Sequence, residues 1–364
     1  MHTRIDRLHQ ALHGAGYDGY IATQRSNQLY FIRADQPVSD LPPVAAILFT
    51  ADAPVIFPGA PFVDACRDHL PDYTIAPTDV GATPVTEQLA QEIISHGLHN
   101  VVIDDIDRTT EATLRNAMPQ IQLTLDNLWG PRLRRTKEPQ EIDILRETAR
   151  ISDLGMVAAF AAARPGASGR DVAAASAAAM LRAGAEDAAL QVAVGPATAY
   201  MGTGEWIYDP RRIIEPGDML LVDMAIRYHG YLGDQTRTAI VGKATPERRR
   251  IIDLVQQAYR DTVAAMRPGA AAPDLYRITT DLLAAHGLRR HFPHHISHGL
   301  GLGGDLPRIA EGSTDVLQIG DAFSCEPGLY IPGIGGARFE NMLLLTKNGL
   351  EELTQSPIDP IILE

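Results

Sequence analysis

The sequence predicts a small α/β domain followed by a larger α+β domain assembled from two copies of one unit. Three observations carry this reading. The first third of the chain alternates short apolar strands with helical patterns. The texture changes near Gly130-Pro131. Beyond that point a set of features returns 103 residues later, as Gly166 does at Gly269. A chain of 364 residues is long enough for two separately buried cores.

Within the first domain, residues 4–14 read as an amphipathic helix and Gly19-Tyr20-Ile21-Ala22 as a short buried strand. Residues 43–49 and Val55-Ile56-Phe57 read as strands joined by a turn at Ala51 to Pro54, and Val101-Val102-Ile103 as another. Placing the boundary near residue 132 gives domains 1–132 and 133–364. Pro139 opens a long helix, since a proline loses nothing at a first helical position. Ile142, Leu145 and Ala149, then Leu154, Val157 and Ala161, are spaced as one apolar face. The helix should stop at Pro165-Gly166.

The internal repeat organises the second domain. Arg164-Pro165-Gly166-Ala167 followed by Asp171 returns as Arg267-Pro268-Gly269-Ala270 followed by Asp274. The same offset carries Gly217-Asp218 onto Gly320-Asp321 and Asp223 onto Glu326. Each half therefore reads helix, Arg-Pro-Gly turn, helix, then an apolar strand ending at a carboxylate. Ser168 with Asp171 fits a capping box opening the second helix of the first half. Two such halves would pack about a pseudo-two-fold axis, and a site between them would collect acids from both.

Asp223 interrupts the apolar strand 219–224, and Asp234 follows after the Gly230-Tyr231 turn, so a hairpin would bring the two acids opposite each other. Glu326 ends the strand Phe323-Ser324-Cys325, and Glu340 follows fourteen residues later. Four acids on buried strands cannot all ionise without countercharge. Divalent cations remove that penalty, and an oxygen-rich set suits manganese, cobalt, zinc or magnesium. His298 adds an imidazole and tilts the choice toward a transition metal. The alternative treats each acid separately, as a strand-end, turn or helix-start residue, but leaves the matched offset unexplained.

His298 lies in a glycine-rich run from His294 to Gly304. No Lys-Ser or Lys-Thr follows, which argues against a phosphate loop. His294 and His298 have the four-residue spacing of a helical zinc pair, yet no Glu follows His294, and Pro293 and Gly299 favour an extended loop. A histidine among glycines is placed to reach a ligand.

Composition narrows the partners. A net charge of −13 argues against nucleic acid. The basic stretches Arg132 to Lys137 and Arg248 to Arg250 read as solvated surface and an exposed helix face. No apolar run approaches the ~20 residues that span a bilayer, and the N-terminus lacks the apolar core of a signal peptide, so the expected location is cytoplasmic. The cysteines, Cys66 and Cys325, show no disulfide or zinc framework. Cys325 reads as a buried, reduced thiol.

Taken together, Val222-Asp223, Gly230-Tyr231-x-x-Asp234-x-Thr236-Arg237-Thr238, His298-Gly299-x-Gly301, Glu326-Pro327-Gly328 and Arg338-x-Glu340 resemble the Xaa-Pro peptidase family of prolidases and aminopeptidase P. Residues 4–31 resemble its creatinase-type N-terminal domain, and Lys137-x-x-x-Glu141-Ile142 the opening of its "pita-bread" catalytic domain. The resemblance implies an exopeptidase acting on small Xaa-Pro peptides, most simply a dipeptidase, and a homodimer. It implies two divalent ions (manganese, cobalt or zinc): one chelated by Asp223, the other held by His298 and Glu326, with Asp234 and Glu340 bridging both. Glu326 would shuttle a proton to the leaving nitrogen and His294 would contact substrate. Arg338 would steady Glu340 or a substrate carboxylate. Two histidines of the family pattern are missing, their positions falling on Gly202 and Gly304, and Tyr200, Trp206 or Tyr208 are candidates to line a rebuilt pocket. Two other readings remain: a hydrolase of a non-prolyl amide or amidine, as in creatinase-like relatives, and a non-catalytic binding module on the same fold.

Overall fold

The computed structural model describes residues 4–32, 42–76, 84–201, 211–358 and 361–363. The chain divides into two compact units, Met1–Arg134 and Arg135–Glu364.

In the first unit, helices α1 (Arg4–Ala15), α2 (Arg25–Ile32), α3 (Val63–His69), α4 (Val85–Ser95), α5 (Arg108–Ala117) and α6 (Trp129–Arg134) accompany one mixed sheet. Its strands are β1 (Gly19–Ala22), β2 (Val44–Phe49), β3 (Val55–Pro58), β4 (Thr74–Ile75), β5 (Asn100–Ile103) and β6 (Gln122–Leu125), in the order β4-β3-β2-β1-β5-β6. Ile21, Leu48, Phe57, Val101 and Ile103 pack with Leu89 and Ile93 of α4 and Leu114 of α5. The strand-end acid here is structural. Asp104 is fully buried but accepts hydrogen bonds from Tyr20 Oη at 2.8 Å, Thr23 N at 2.8 Å and Asn27 Nδ2 at 2.5 Å.

The second unit opens with α7 (Pro139–Ala162), α8 (Gly169–Arg182), β7 (Asp187–Val194), β8 (Met219–Tyr228) and β9 (Tyr231–Val241). Then come α9 (Pro246–Ala265), α10 (Ala272–Ala285), β10 (Ser297–Gly299), β11 (Asp305–Ile309), β12 (Ala322–Cys325) and β13 (Gly328–Ile331). The chain closes with β14 (Gly335–Arg338), β15 (Asn341–Thr346), β16 (Gly349–Glu352) and β17 (Ile361–Leu363). The sheets run β17-β9-β8-β7 and β11-β10-β12-β15-β16, with β13 and β14 paired alone.

The 103-residue repeat survives in three dimensions. Helices α8 and α10 match residue for residue, and β8 maps onto β12 and β13. The bridge Ser168–Ile213 recurs as Ala271–Val316. Each Arg-Pro-Gly turn needs a left-handed glycine, with φ of 91° at Gly166 and 86° at Gly269. Each half has its own core. Ile151, Met156 and Ala159 of α7 with Val172 and Met180 of α8 cover Leu220, Val222, Met224 and Ile226 of β8. Ile252, Val255 and Tyr259 of α9 with Leu275 and Leu283 of α10 cover Phe323 and Cys325 of β12.

Three expectations are corrected. Leu154 and Val157 are 41% and 66% exposed. The buried stripe of α7 runs instead through Leu145, Thr148, Ala149, Ser152, Gly155, Met156 and Ala159. Close approach decides this, because a Cβ at Gly155 would lie 2.5 Å from Met180 Sδ of α8. Second, the basic stretch 132–137 is not a solvated face. Arg134 is buried, Arg135 grips Asp321 at 2.8 and 2.9 Å, and Lys137 Nζ lies 3.2 Å from Asp305 with both side chains out of solvent. Third, Asp223 pairs with Thr236 and Asp234 with Ala225, so the two acids are diagonal neighbours on one face rather than opposite each other. The register follows from a two-residue turn at His229-Gly230, both with positive φ (49° and 80°), the geometry that matches strand twist in tight hairpins.

Cys66 and Cys325 are buried free thiols. Among the described residues no helix is long and apolar enough to cross a membrane.

Candidate metal centre

The period of two along a strand explains why acids from both halves converge. On β8 the even-numbered residues 220–226 are spent on the α7/α8 core, so Asp223 points to the other face. On β12, Phe323 and Cys325 face the α9/α10 core, which turns Ser324 and Glu326 the opposite way. The odd offset joins an odd to an even position, and the core residues shift with it: Leu220 and Val222 become Phe323 and Cys325. The two halves meet where Glu340, between β14 and β15, donates its backbone N–H to Thr236 O at 3.0 Å.

Asp234, His298, Glu326 and Glu340 come together there. His298 Nε2 lies 3.3 Å from Asp234 Oδ2 and 3.5 Å from Glu326 Oε1. Two groups of donor atoms within 4.8 Å of one another could hold an ion: Asp234, His298 and Glu340, and His295, His298 and Glu326. Asp223 stands at the edge, gripped by Arg338 Nη2 and 3.0 Å from Thr236 Oγ1. Thr236 Oγ1 is also 2.7 Å from Glu340 Oε2 and accepts from Arg338 Nε at 3.0 Å. Arg338 thus steadies Asp223 and Thr236, and makes no hydrogen bond to the Glu340 carboxylate among the described residues. Its Nη1 donates to Tyr330 Oη at 3.0 Å, and Tyr330 lies 2.9 Å from His294 Nε2. His294 Nδ1 reaches the His295 carbonyl at 2.7 Å, which fixes Nδ1 as the protonated nitrogen and Nε2 as acceptor.

The charges are unbalanced without a cation. Burial pushes Glu340 well above the usual carboxylate range, aided by Asp234, Glu326 and Asp223. Burial also raises Asp223 to about 6 against the pull of Arg338. Burial opposes ionisation of Glu326, but the adjoining His295 and the charge on His298 outweigh it and draw it down to about 2. Burial disfavours the His298 imidazolium, yet Asp234 and Glu326 lift it to about 9. His294, where burial dominates, falls to about 4 and is neutral at pH 7. The Thr236 hydroxyl has one proton to offer and two carboxylate neighbours, so it cannot satisfy both at once. Glu340 Oε1 is buried with no hydrogen-bond partner among the described residues. An orphaned carboxylate oxygen beside an imidazole and two further acids fits a divalent cation.

A glycine loop holds His298 in place. A Cβ at Gly299 would come within 2.3 and 2.4 Å of the Asp305 carbonyl group, which is backbone on the paired strand β11 and cannot turn away. Gly299→Ala is therefore expected to cost about 1–3 kcal/mol, read as a lower urea midpoint at unchanged slope.

A model of metallopeptidase family M24 matches residues 143–347, more than half of the chain and all of the converging residues. The chain belongs to metallopeptidase family M24. Membership implies use of divalent metal. Over 225 residues the chain is 33% identical to the Xaa-Pro dipeptidase of Pyrococcus horikoshii, covering 62% of this chain and 64% of that protein's length. A probable dipeptidase PepE of Mycobacterium bovis is 36% identical over 238 residues, 64% of this chain and 61% of its own. The structure of the Xaa-Pro dipeptidase from Bacillus anthracis superposes with a TM-score of 0.86 at 27% identity over 99% of both chains. The pita-bread architecture and the Xaa-Pro peptidase resemblance are thereby borne out. The chain spans less than two thirds of the length of the first two of these relatives.

Sequence reasoning singled out Asp223, Asp234, His298, Glu326, Glu340, His294 and Arg338, all of which the M24 fold gathers in one region. It missed Tyr330, Ser324, whose Oγ donates to Glu326 Oε1 at 3.1 Å, and the position of His295. Only parity on β12 and β13 could have flagged the first two. Tyr200 ends a 3-10 turn at Gly195–Tyr200, while Gly202, Trp206 and Tyr208 lie outside the described residues. At Gly304 a Cβ would meet nothing within 4 Å, so the missing side chain leaves open space.

Proposed function

We propose that this chain is a metal-dependent exopeptidase that hydrolyses Xaa-Pro bonds in small peptides, acting most simply as a prolidase-like dipeptidase. The observation that supports it most is the convergence of Asp234, His298, Glu326 and Glu340 with an orphaned, buried oxygen on Glu340. Asp223, Asp234, His298, Glu326 and Glu340 would hold two divalent ions, drawn from manganese, cobalt and zinc. Such ions would polarise the scissile carbonyl and acidify the attacking water.

The protein's own groups do the rest. Glu326, backed by Ser324, takes the proton of the attacking water and passes it to the leaving nitrogen. His294 stays neutral and presents a fixed tautomer toward substrate, with Tyr330 and Arg338 behind it. Arg338 holds Asp223 ionised and aimed into the site. A homodimer, implied by the family resemblance, and a cytoplasmic location complete the reading.

The test is hydrolysis of Ala-Pro, Leu-Pro and Ala-Pro-Ala by metal-free protein reloaded with manganese, cobalt or zinc, with Glu326→Ala as control. Metal-dependent cleavage lost in the control is the expected result. A second reading, a non-prolyl amide or amidine substrate, is favoured by one observation, the open space at Gly304 where prolyl relatives carry a histidine. Metal-loaded protein that leaves all three peptides intact would transfer support to it.

A further inference from the structure

We propose that His295 supplies a second imidazole to the cation position formed by His298 and Glu326, giving it a two-histidine, one-carboxylate donor set. The proposal rests on the metal reading above and adds a residue that the five-ligand set omits.

The geometry is built, not incidental. His295 Nε2 lies 2.9 Å from Glu326 Oε1, and His298 Nε2 lies 3.5 Å from the same oxygen. Ligand atoms bound at 2.0–2.2 Å to one ion stand roughly 3–4 Å from each other, so these separations suit a shared ion. His295 Nε2 is buried, yet despite its closeness to Glu326 it makes no hydrogen bond among the described residues. A residue serving only to steady Glu326 would align its N–H with the carboxylate. The backbone around it is pinned on both sides: Ile296 N donates to Ile309 O at 2.7 Å, and Glu326 N donates to Ile296 O at 2.8 Å. The His295 carbonyl is fixed by His294 Nδ1 at 2.7 Å. The side chain therefore reaches Glu326 from a rigid strand connection, with its ring 5.5 Å from that of His298.

The chemistry gives His295 a purpose. His298 belongs to both possible donor groups, but its Nε2 can serve only one ion. With His295 present, the ion beside Glu326 has an imidazole whichever way His298 turns. A second imidazole in place of oxygen shifts preference toward zinc and cobalt and away from manganese.

The experiment uses the full chain loaded with cobalt. Protons on the nitrogens of cobalt-bound imidazoles give strongly shifted NMR signals that vanish in deuterium oxide, so they count bound histidines. Two such signals are expected in the wild type and one in His295→Ala and His295→Gln. Zinc affinity should fall by at least about tenfold in both variants, the lower end of what losing even a supporting contact costs, and manganese affinity by less. One signal in the wild type, unchanged in both variants at intact cobalt stoichiometry, would overturn the proposal. Protein that takes up no cobalt at all would overturn the metal reading beneath it, so the two failures are distinct.

Discussion

Glu340→Gln is expected to abolish metal-dependent turnover, by at least about a thousandfold, while leaving the metal-free protein as stable as the wild type or more so. The two effects have one cause. In the metal-free protein Glu340 is buried among Asp234, Glu326 and Asp223 and is driven to hold a proton. Glutamine has the same shape and no charge, so it keeps the contact to Thr236 and removes the conflict. A carboxyl whose folded pKa is raised binds its proton more tightly folded than unfolded, so it lowers stability increasingly as pH rises above the unfolded value. The stability advantage of metal-free Glu340→Gln over wild type should thus grow from pH 5 to pH 8. With metal the order reverses. Wild type at a thousandfold excess over Kd gains about 4 kcal/mol from binding, roughly 8–16 °C in a domain of this size. The variant should gain almost none of it. Thermal unfolding at two pH values, with and without manganese, tests all of this. A metal-free variant markedly less stable than wild type would mean that Glu340 is structural.

How much of this was legible in the sequence depends on what sets each feature. Repeat, helices and strand-end acids are local or periodic, and they were read directly. The offset of 103 even fixed which face of β12 carries Glu326, because residue parity is preserved by the core. Non-local choices were not legible. Nothing in Val101-Val102-Ile103-Asp104 distinguishes that strand-end acid from Asp223. Only the hydrogen bonds from Tyr20, Thr23 and Asn27 show that Asp104 is satisfied and needs no cation. The basic stretch 132–137 failed for the same reason, since its partners Asp305 and Asp321 are far along the chain. The hairpin acids were placed on the right face but in the wrong register, because the turn at His229-Gly230 pairs Asp223 with Thr236, and opposing Asp234 would need a turn one residue earlier. His295 was hidden beside two histidines with more familiar spacing.

Arg237→Met is expected to be the most destabilising single change near the centre, at about 3–5 kcal/mol, because several buried acceptors lose their donor at ~1–3 kcal/mol each. Arg237 is fully buried on β9. A guanidinium has five N–H groups, and here each has an acceptor. Nε donates to Pro357 O at 2.9 Å. Nη1 donates to Thr236 O at 2.9 Å and Glu340 O at 2.5 Å. Nη2 donates to Asn341 Oδ1 and Ser356 O, both at 2.5 Å. Burial lowers its pKa to about 10, which leaves it charged at neutral pH. Methionine fills the volume but leaves the carbonyls of Glu340, Ser356 and Pro357 without this donor, so the loss exceeds that of any one hydrogen bond. Lysine keeps the charge yet has three donors, so Arg237→Lys should recover less than half of the stability. The two carbonyls held by Nη1 belong to Thr236 and Glu340, the pair through which the two repeats bridge. Loss of stability should therefore come with weaker metal binding, even though Arg237 touches no candidate ligand side chain. Urea unfolding of the metal-free protein reads the first effect, and zinc titration well below the unfolding midpoint reads the second. Weakened folding with metal affinity unchanged would show that the bridge between the halves is held by the strands alone, and that Arg237 serves the core rather than the centre.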